Sequence, residues 1–108
     1  MKWKFAKNAQ EERLDLETIK NGKEYMKKRL AENNESMLFA DGLDEALIGY
    51  IERAGTPTIA CYDKYKCIEI LARDMTYEDA VEYFYYNTIG AYVGENTPCF
   101  FTRIEDEN

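Results

Sequence analysis

The first third of the chain has hydrophobic positions at the spacing of a helix. Four apolar residues fall at intervals of 3, 7 and 4 and share one helical stripe: Leu16, Ile19, Met26 and Leu30. A glycine interrupts the run, so the pattern predicts two helical stretches, 9–20 and 23–33, with Gly22 as a stop or kink. Before them, Met1–Asn8 alternates aromatic residues with lysines, which fits a short strand or an arm equally well.

Two apolar runs of strand length lie in the middle of the chain. Ala46–Ile51 is apolar on both faces, which is typical of an interior strand, and Gly49 within it indicates a bulge or a close backbone approach. Thr58–Tyr62 is the second run, and the loop between them contains glycine and proline. The pattern therefore predicts a β-hairpin. The preceding block, Met37–Glu45, begins apolar and then turns at an Asp-Gly pair.

The second half of the chain predicts two helices and a last strand. Asp63 is a candidate N-cap for a helix over 64–73. Thr76-Tyr77-Glu78-Asp79 matches a capping box and opens the next helix. The buried stripe of that helix is expected at Val81, Phe84, Tyr85 and Thr88. After a loop over 92–98, Cys99–Ile104 has the composition of a strand.

These elements predict an α+β fold in the order α(α)-β-β-α-α-β, with a small antiparallel sheet and helices on one face. Charge divides the 108 residues into two parts: residues 1–34 sum to +3 and residues 35–108 to −10, which gives the net −7. We therefore expect a basic helical segment over 1–34 and an acidic α+β domain over 35–108. The acidic body disfavours direct contact with nucleic acid, because phosphates are bound by clustered lysine and arginine. Solubility alone also accounts for a net charge of this size.

The residue inventory excludes several chemistries. The chain has no histidine, which rules out histidine-based triads and histidine metal ligands. Its three cysteines, Cys61, Cys67 and Cys99, form no CxxC pair, so we expect buried free thiols and no zinc centre. The N terminus has no apolar leader, and no apolar stretch approaches the ~18 residues of a membrane span. We expect a cytoplasmic protein that needs no cofactor and contacts no membrane.

Several motifs of the acidic body resemble small phage and mobile-element proteins of unassigned function. The likeness extends over residues 37–101 and rests on four segments: Leu38–Ala46, Tyr62–Leu71, Met75–Phe84 and Asn87–Pro98. The resemblance implies a small intracellular protein carried by a phage or mobile element. It supplies no catalytic residue.

Tyrosine and carboxylate side chains predict a surface that binds a protein. Tyr83 and Tyr86 lie off the apolar stripe of their helix, and tyrosine gives large contact area at low entropic cost. The predicted partner-binding residues are Glu78, Asp79, Glu82, Tyr83, Tyr86, Tyr92 and Glu95. They fit a basic partner. The phage-like context that the resemblance implies suggests a nucleic-acid-binding defence protein, which a non-enzymatic module would inhibit in the manner of an anti-CRISPR. A solvated helix face with half-exposed tyrosines is the competing interpretation. A homodimer through residues 9–33 would be compatible with this binding function and with the enzymatic alternative described next.

Carboxylates in loops predict an alternative function. Asp41, Asp44 and Glu95 would share a metal site if the sheet brought their loops together, and oxygen ligands suit Mg²⁺ or Ca²⁺. Such a site would activate water against a nucleotide or phosphate ester without histidine. The spacing matches no EF-hand loop, and turn chemistry explains the Asp-Gly pair equally well.

Overall fold

The computed structural model describes residues 3–5 and 22–107. The helices of this part are α1 (Gly22–Asn33), α2 (Lys64–Leu71) and α3 (Tyr77–Tyr83). A π-helical turn over Phe84–Ile89 continues α3. The strands are β1 (Trp3–Phe5), β2 (Leu38–Ala40), β3 (Leu47–Ile51), β4 (Ile59–Asp63) and β5 (Cys99–Phe101). Short 3₁₀ turns cover Asp44–Ala46 and Ile104–Asp106.

The strands form two sheets, and the predicted α+β class is confirmed. β1 and β2 pair antiparallel, while the second sheet has the order β3-β4-β5. β3 and β4 are the predicted hairpin, with a bulge between Leu47 and Gly49. β5 lies parallel to β4, with Cys61 opposite Cys99, so this sheet is mixed and not antiparallel throughout. The reason is the crossover: the chain leaves β4, passes through α2 and α3, and re-enters the sheet in the same direction.

Local capping determines where the helices begin. The Asp63 side chain accepts the N–H of Lys66 at 3.0 Å, and the Thr76 hydroxyl accepts the N–H of Asp79 at 3.1 Å, so both predicted N-caps are confirmed. The helix predicted over 23–33 corresponds to α1, which the structure gives as Gly22–Asn33. The helix predicted over 9–20 lies outside the described residues.

The helix that begins at Tyr77 departs from the expected stripe. Phe84 and Thr88 are fully buried as predicted, but Tyr85 is 46% exposed. The prediction assumed 3.6 residues per turn, whereas Phe84–Ile89 follows the wider π-helical path, which changes the direction of each side chain. The last strand is also shorter than predicted, because it ends at Phe101 and Ile104 is exposed in a 3₁₀ turn.

The core joins α1 to the body of the protein. Leu30 of α1 belongs to the same buried cluster as Met37, Leu47, Tyr62 and Phe84. Polar contacts support this packing: the Lys27 ammonium donates to the Asp44 carboxylate at 3.0 Å. Just beyond the helix, the Asn34 amide donates to the Thr58 carbonyl at 2.9 Å and to the Asn96 side-chain oxygen at 2.8 Å. In the part of the chain that the structure describes, no helix has the length and apolar character needed to cross a membrane.

Candidate functional site

Four of the predicted partner-binding residues meet at one cleft. Asp79, Glu82, Tyr83 and Tyr86 follow one another at i, i+3, i+4 and i+7 along α3 and the π-helical turn, so they lie on one face. With Met75 and Asn87 they line a cleft of about 330 Å³, which we call the acidic cleft. The N-cap at Thr76 fixes the start of this helix and therefore the position of its carboxylates.

The carboxylates of this region are available to a partner. Glu78, Asp79 and Glu82 are all exposed, and no lysine or arginine within residues 25–107, whose side chains the structure describes, forms an ion pair with them. Tyr86 is 77% exposed, whereas Tyr83 is half-buried. The cleft thus combines two carboxylates with the rings of two tyrosines, an arrangement that suits an ammonium or guanidinium group. Glu78 is in the first turn of α3 but does not line the cleft.

The other two predicted residues lie in a different hollow. Tyr92 and Glu95 line a groove of about 550 Å³ between the hairpin loop and the segment that leads into β5. We call it the apolar groove. Its lining is Ile51, Arg53, Thr56, Pro57, Ile59, Ile89, Tyr92, Gly94, Glu95, Thr97, Pro98, Cys99 and Phe100. The predicted surface is therefore divided between two places that share no lining residue.

The carboxylates of the alternative, metal-dependent prediction have other surroundings. Asp44 is in an ion pair with Lys27, and Glu95 lies in the apolar groove. Asp41 is exposed after β2, and it too has an interaction partner. Within the described ranges, no group of three or more aspartate, glutamate or cysteine side chains is placed to hold a metal ion.

The cysteines are free thiols, as predicted, with Cys61 and Cys67 buried and Cys99 half-buried. Burial raises the pKa of Cys67 to about 12, and the charge of Asp63 acts in the same direction. Burial likewise raises the pKa of Cys99 to about 12, and it raises the pKa of Cys61. A thiol that stays protonated is a poor nucleophile, so these groups behave as small apolar side chains.

Sequence patterns did not indicate the apolar groove or two residues of the acidic cleft. Asn87 directly follows Tyr86, so a helical wheel drawn with a wider turn would have placed it on the face of the acidic cleft. Met75 precedes the N-cap of the helix, where helical spacing gives no information. The groove is assembled from segments that are distant along the chain, and the parallel pairing of β5 with β4 brings them together. In the sequence, the loops that form the groove differ from their surroundings only in their proline and glycine content.

Comparison of the chain with protein-family models, curated proteins and solved structures found no match.

Proposed function

We propose that this chain is a small acidic, non-enzymatic module that binds a basic protein through the acidic cleft. The observation that supports it most directly is the convergence of Asp79, Glu82, Tyr83 and Tyr86 on one cleft, with carboxylates that no cation of the described chain neutralises. An incoming arginine would donate charge-assisted hydrogen bonds to the carboxylates and stack on the tyrosine rings.

The partner we propose is a nucleic-acid-binding defence protein of a bacterial host. The two proteins would bind each other in the cytoplasm. The resemblance of residues 37–101 to phage and mobile-element proteins motivates this setting. The carboxylates would occupy part of the basic surface on which the partner binds phosphates, so the chain would act as an inhibitor in the way an anti-CRISPR does. Binding of this kind weakens steeply with salt, because the charges lie near solvent and are screened.

The test compares two triple variants that carry the same change of net charge, from −7 to −4. The first is Glu78→Gln, Asp79→Asn and Glu82→Gln on α3. The control is Glu105→Gln, Asp106→Asn and Glu107→Gln, which are all exposed; the first two lie in the C-terminal 3₁₀ turn and the third follows it directly. Each tagged protein is presented to a bacterial lysate at about 50 mM and about 0.5 M salt, and captured proteins are identified by mass spectrometry.

We expect wild type and the control to capture the same basic protein at low salt, and the α3 variant to lose it. Purified components then give the affinity by calorimetry. Equal loss in both variants would mean that only net charge matters and would refute the site; no capture by wild type would refute the function. Because Glu78 and Asp79 each stabilise the N-terminus of α3 by about 0.3–1 kcal/mol, thermal melting checks that the α3 variant is folded.

A further inference from the structure

The apolar groove is a second surface whose character differs from that of the acidic cleft. It is walled by isoleucine, proline and aromatic side chains, and several of them face solvent: Ile51 and Ile89 are each 43% exposed and Tyr92 is 72% exposed. A molecule that docked in this groove would remove these apolar side chains from water, which is favourable. Its volume and lining are unlike those of a site for a strongly charged partner.

Two opposite charges accompany the apolar lining. Arg53 enters the groove from the hairpin loop and Glu95 from the loop before β5. Neither side chain forms an ion pair with any residue that the structure describes. Among the residues that the structure describes, the groove lining therefore carries one positive and one negative side chain, contributed by two different segments, next to apolar surface.

We infer that the apolar groove is the docking surface for a second copy of this chain. A surface that bears one arginine and one glutamate is complementary to itself under a two-fold axis, since Arg53 of each copy meets Glu95 of the partner subunit. The exposed apolar residues then bury one another at the centre, inside two equivalent ion pairs. A basic partner fits this surface less well, because Arg53 would oppose it, and the acidic cleft stays free in such a dimer.

The size and charge of the surface set the expected strength. Thirteen residues line the groove, fewer than the roughly 20–30 per side of a standard interface, so the dimer is expected to be weak. Each copy carries −7, and salt screens the repulsion between them. Salt also screens the two ion pairs of the interface, so self-association should depend less on salt than binding through the acidic cleft does. This inference goes beyond the proposed function and does not depend on it.

Sedimentation equilibrium of the full chain tests the inference between ~5 and ~500 μM. We expect the average mass to rise from 12.7 kDa towards twice that value as concentration increases. A constant 12.7 kDa over the whole range, at low and high salt, would overturn the inference. The outcome is separate from the capture experiment, since a monomer can bind a basic protein and a dimer can fail to do so.

Matched variants locate the interface. Ile51→Ser removes apolar surface from the groove, while Ile48→Ser changes the same residue type on the same strand, at 47% exposure, outside the groove. We expect a dissociation constant raised at least tenfold for Ile51→Ser and unchanged for Ile48→Ser. Association that survives Ile51→Ser would place the contact elsewhere, for example in residues 9–33, and would overturn the inference.

A charge exchange tests the two-fold geometry. Arg53→Glu alone and Glu95→Arg alone each place like charges opposite one another and should weaken the dimer. The double variant restores both ion pairs in reversed orientation and should recover most of the association. Failure of the double variant to recover, with thermal melting showing that all three proteins are folded, would refute the pairing of these two residues across the axis.

Discussion

Tyr62 is the buried link between the two sheets. Its side chain comes from β4 and is fully buried, and its hydroxyl oxygen accepts the backbone N–H of Ala40 at 2.8 Å. Ala40 lies on β2, whose alternate N–H groups point away from β1: the neighbouring one, at Leu38, donates to the Asn96 carbonyl. The Tyr62 hydroxyl therefore satisfies a donor that has no strand beside it.

Replacing Tyr62 with phenylalanine should destabilise the protein by about 1–2 kcal/mol. The variant leaves the Ala40 N–H buried without an acceptor, which costs roughly 1–3 kcal/mol, and part of this is offset because a buried hydroxyl is also removed. In a domain of about 100 residues, each kcal/mol lowers Tm by about 4–8 °C. Urea unfolding followed by circular dichroism gives the free energy, and Tyr50→Phe, on the exposed side of β3, should change it by less than about 0.5 kcal/mol.

The pH dependence of the same pair of proteins provides an independent check. Burial raises the pKa of Tyr62 above its ordinary value of 10, although the hydrogen bond from Ala40 acts in the opposite direction. Because the pKa of Tyr62 is higher in the folded protein than in the unfolded chain, the contribution of its protonated hydroxyl to the free energy of unfolding is complete below pH 10. That contribution falls as pH rises above 10, where the unfolded chain loses the proton and the folded protein keeps it. The difference in the free energy of unfolding between wild type and Tyr62→Phe should accordingly become smaller above pH 10. Equal stability of the two proteins at pH 7 would refute the role assigned to the hydrogen bond.

Two further predictions concern buried groups in other positions. The Thr88 hydroxyl is fully buried, and no residue that the structure describes hydrogen-bonds to it, so Thr88→Val should stabilise the fold by about 1 kcal/mol; an unchanged or lower urea midpoint would contradict this. The thiols of the folded protein should react with Ellman's reagent far more slowly at pH 8 than the thiols of the chain unfolded in urea. The free energy of unfolding should also fall as pH rises above 9, because the thiols of the unfolded chain then ionise while those of the folded protein stay protonated. Rapid reaction of all three thiols in the folded protein would contradict the burial of Cys61 and Cys67 and the partial burial of Cys99.

Those parts of the fold that depend on near neighbours could be predicted from the sequence. The hairpin of β3 and β4 and the caps at Asp63 and Thr76 follow from apolar runs and from side chains that bond to the backbone three residues away. The pairing of β1 with β2 could not be predicted from the sequence, because Trp3 pairs with Ala40, 37 positions away. A strand of three residues is also too short to show the alternation of apolar and polar side chains that indicates a strand. The parallel direction of β5 likewise depends on how α2 and α3 pack, which no local pattern contains.

The sequence predicts the part of the candidate site that lies on a single helix. Asp79, Glu82, Tyr83 and Tyr86 share a face because helical spacing places them there, and a modest change in pitch does not separate them. Tyr92 and Glu95 were grouped with them because of residue type alone. The structure assigns those two residues to the apolar groove, whose other walls come from the hairpin loop and from β5.

The π-helical turn is where the two surfaces meet, and it explains why one short segment serves both. Within Phe84–Ile89, Tyr86 and Asn87 line the acidic cleft and Ile89 lines the apolar groove, while Thr88 between them points into the core. Three consecutive residues therefore face a cleft, the core and a groove, and the wider π-helical turn is the backbone feature at that boundary; such turns often occur at functional sites. The Thr88 hydroxyl has no hydrogen-bond partner among the described residues, whereas the backbone of the segment is held by hydrogen bonds such as that from the Gly90 N–H to the Tyr85 carbonyl at 3.1 Å. A partner that displaced the backbone at Tyr86 would displace the same segment that presents Ile89, so the backbone joins the two surfaces although they share no lining residue.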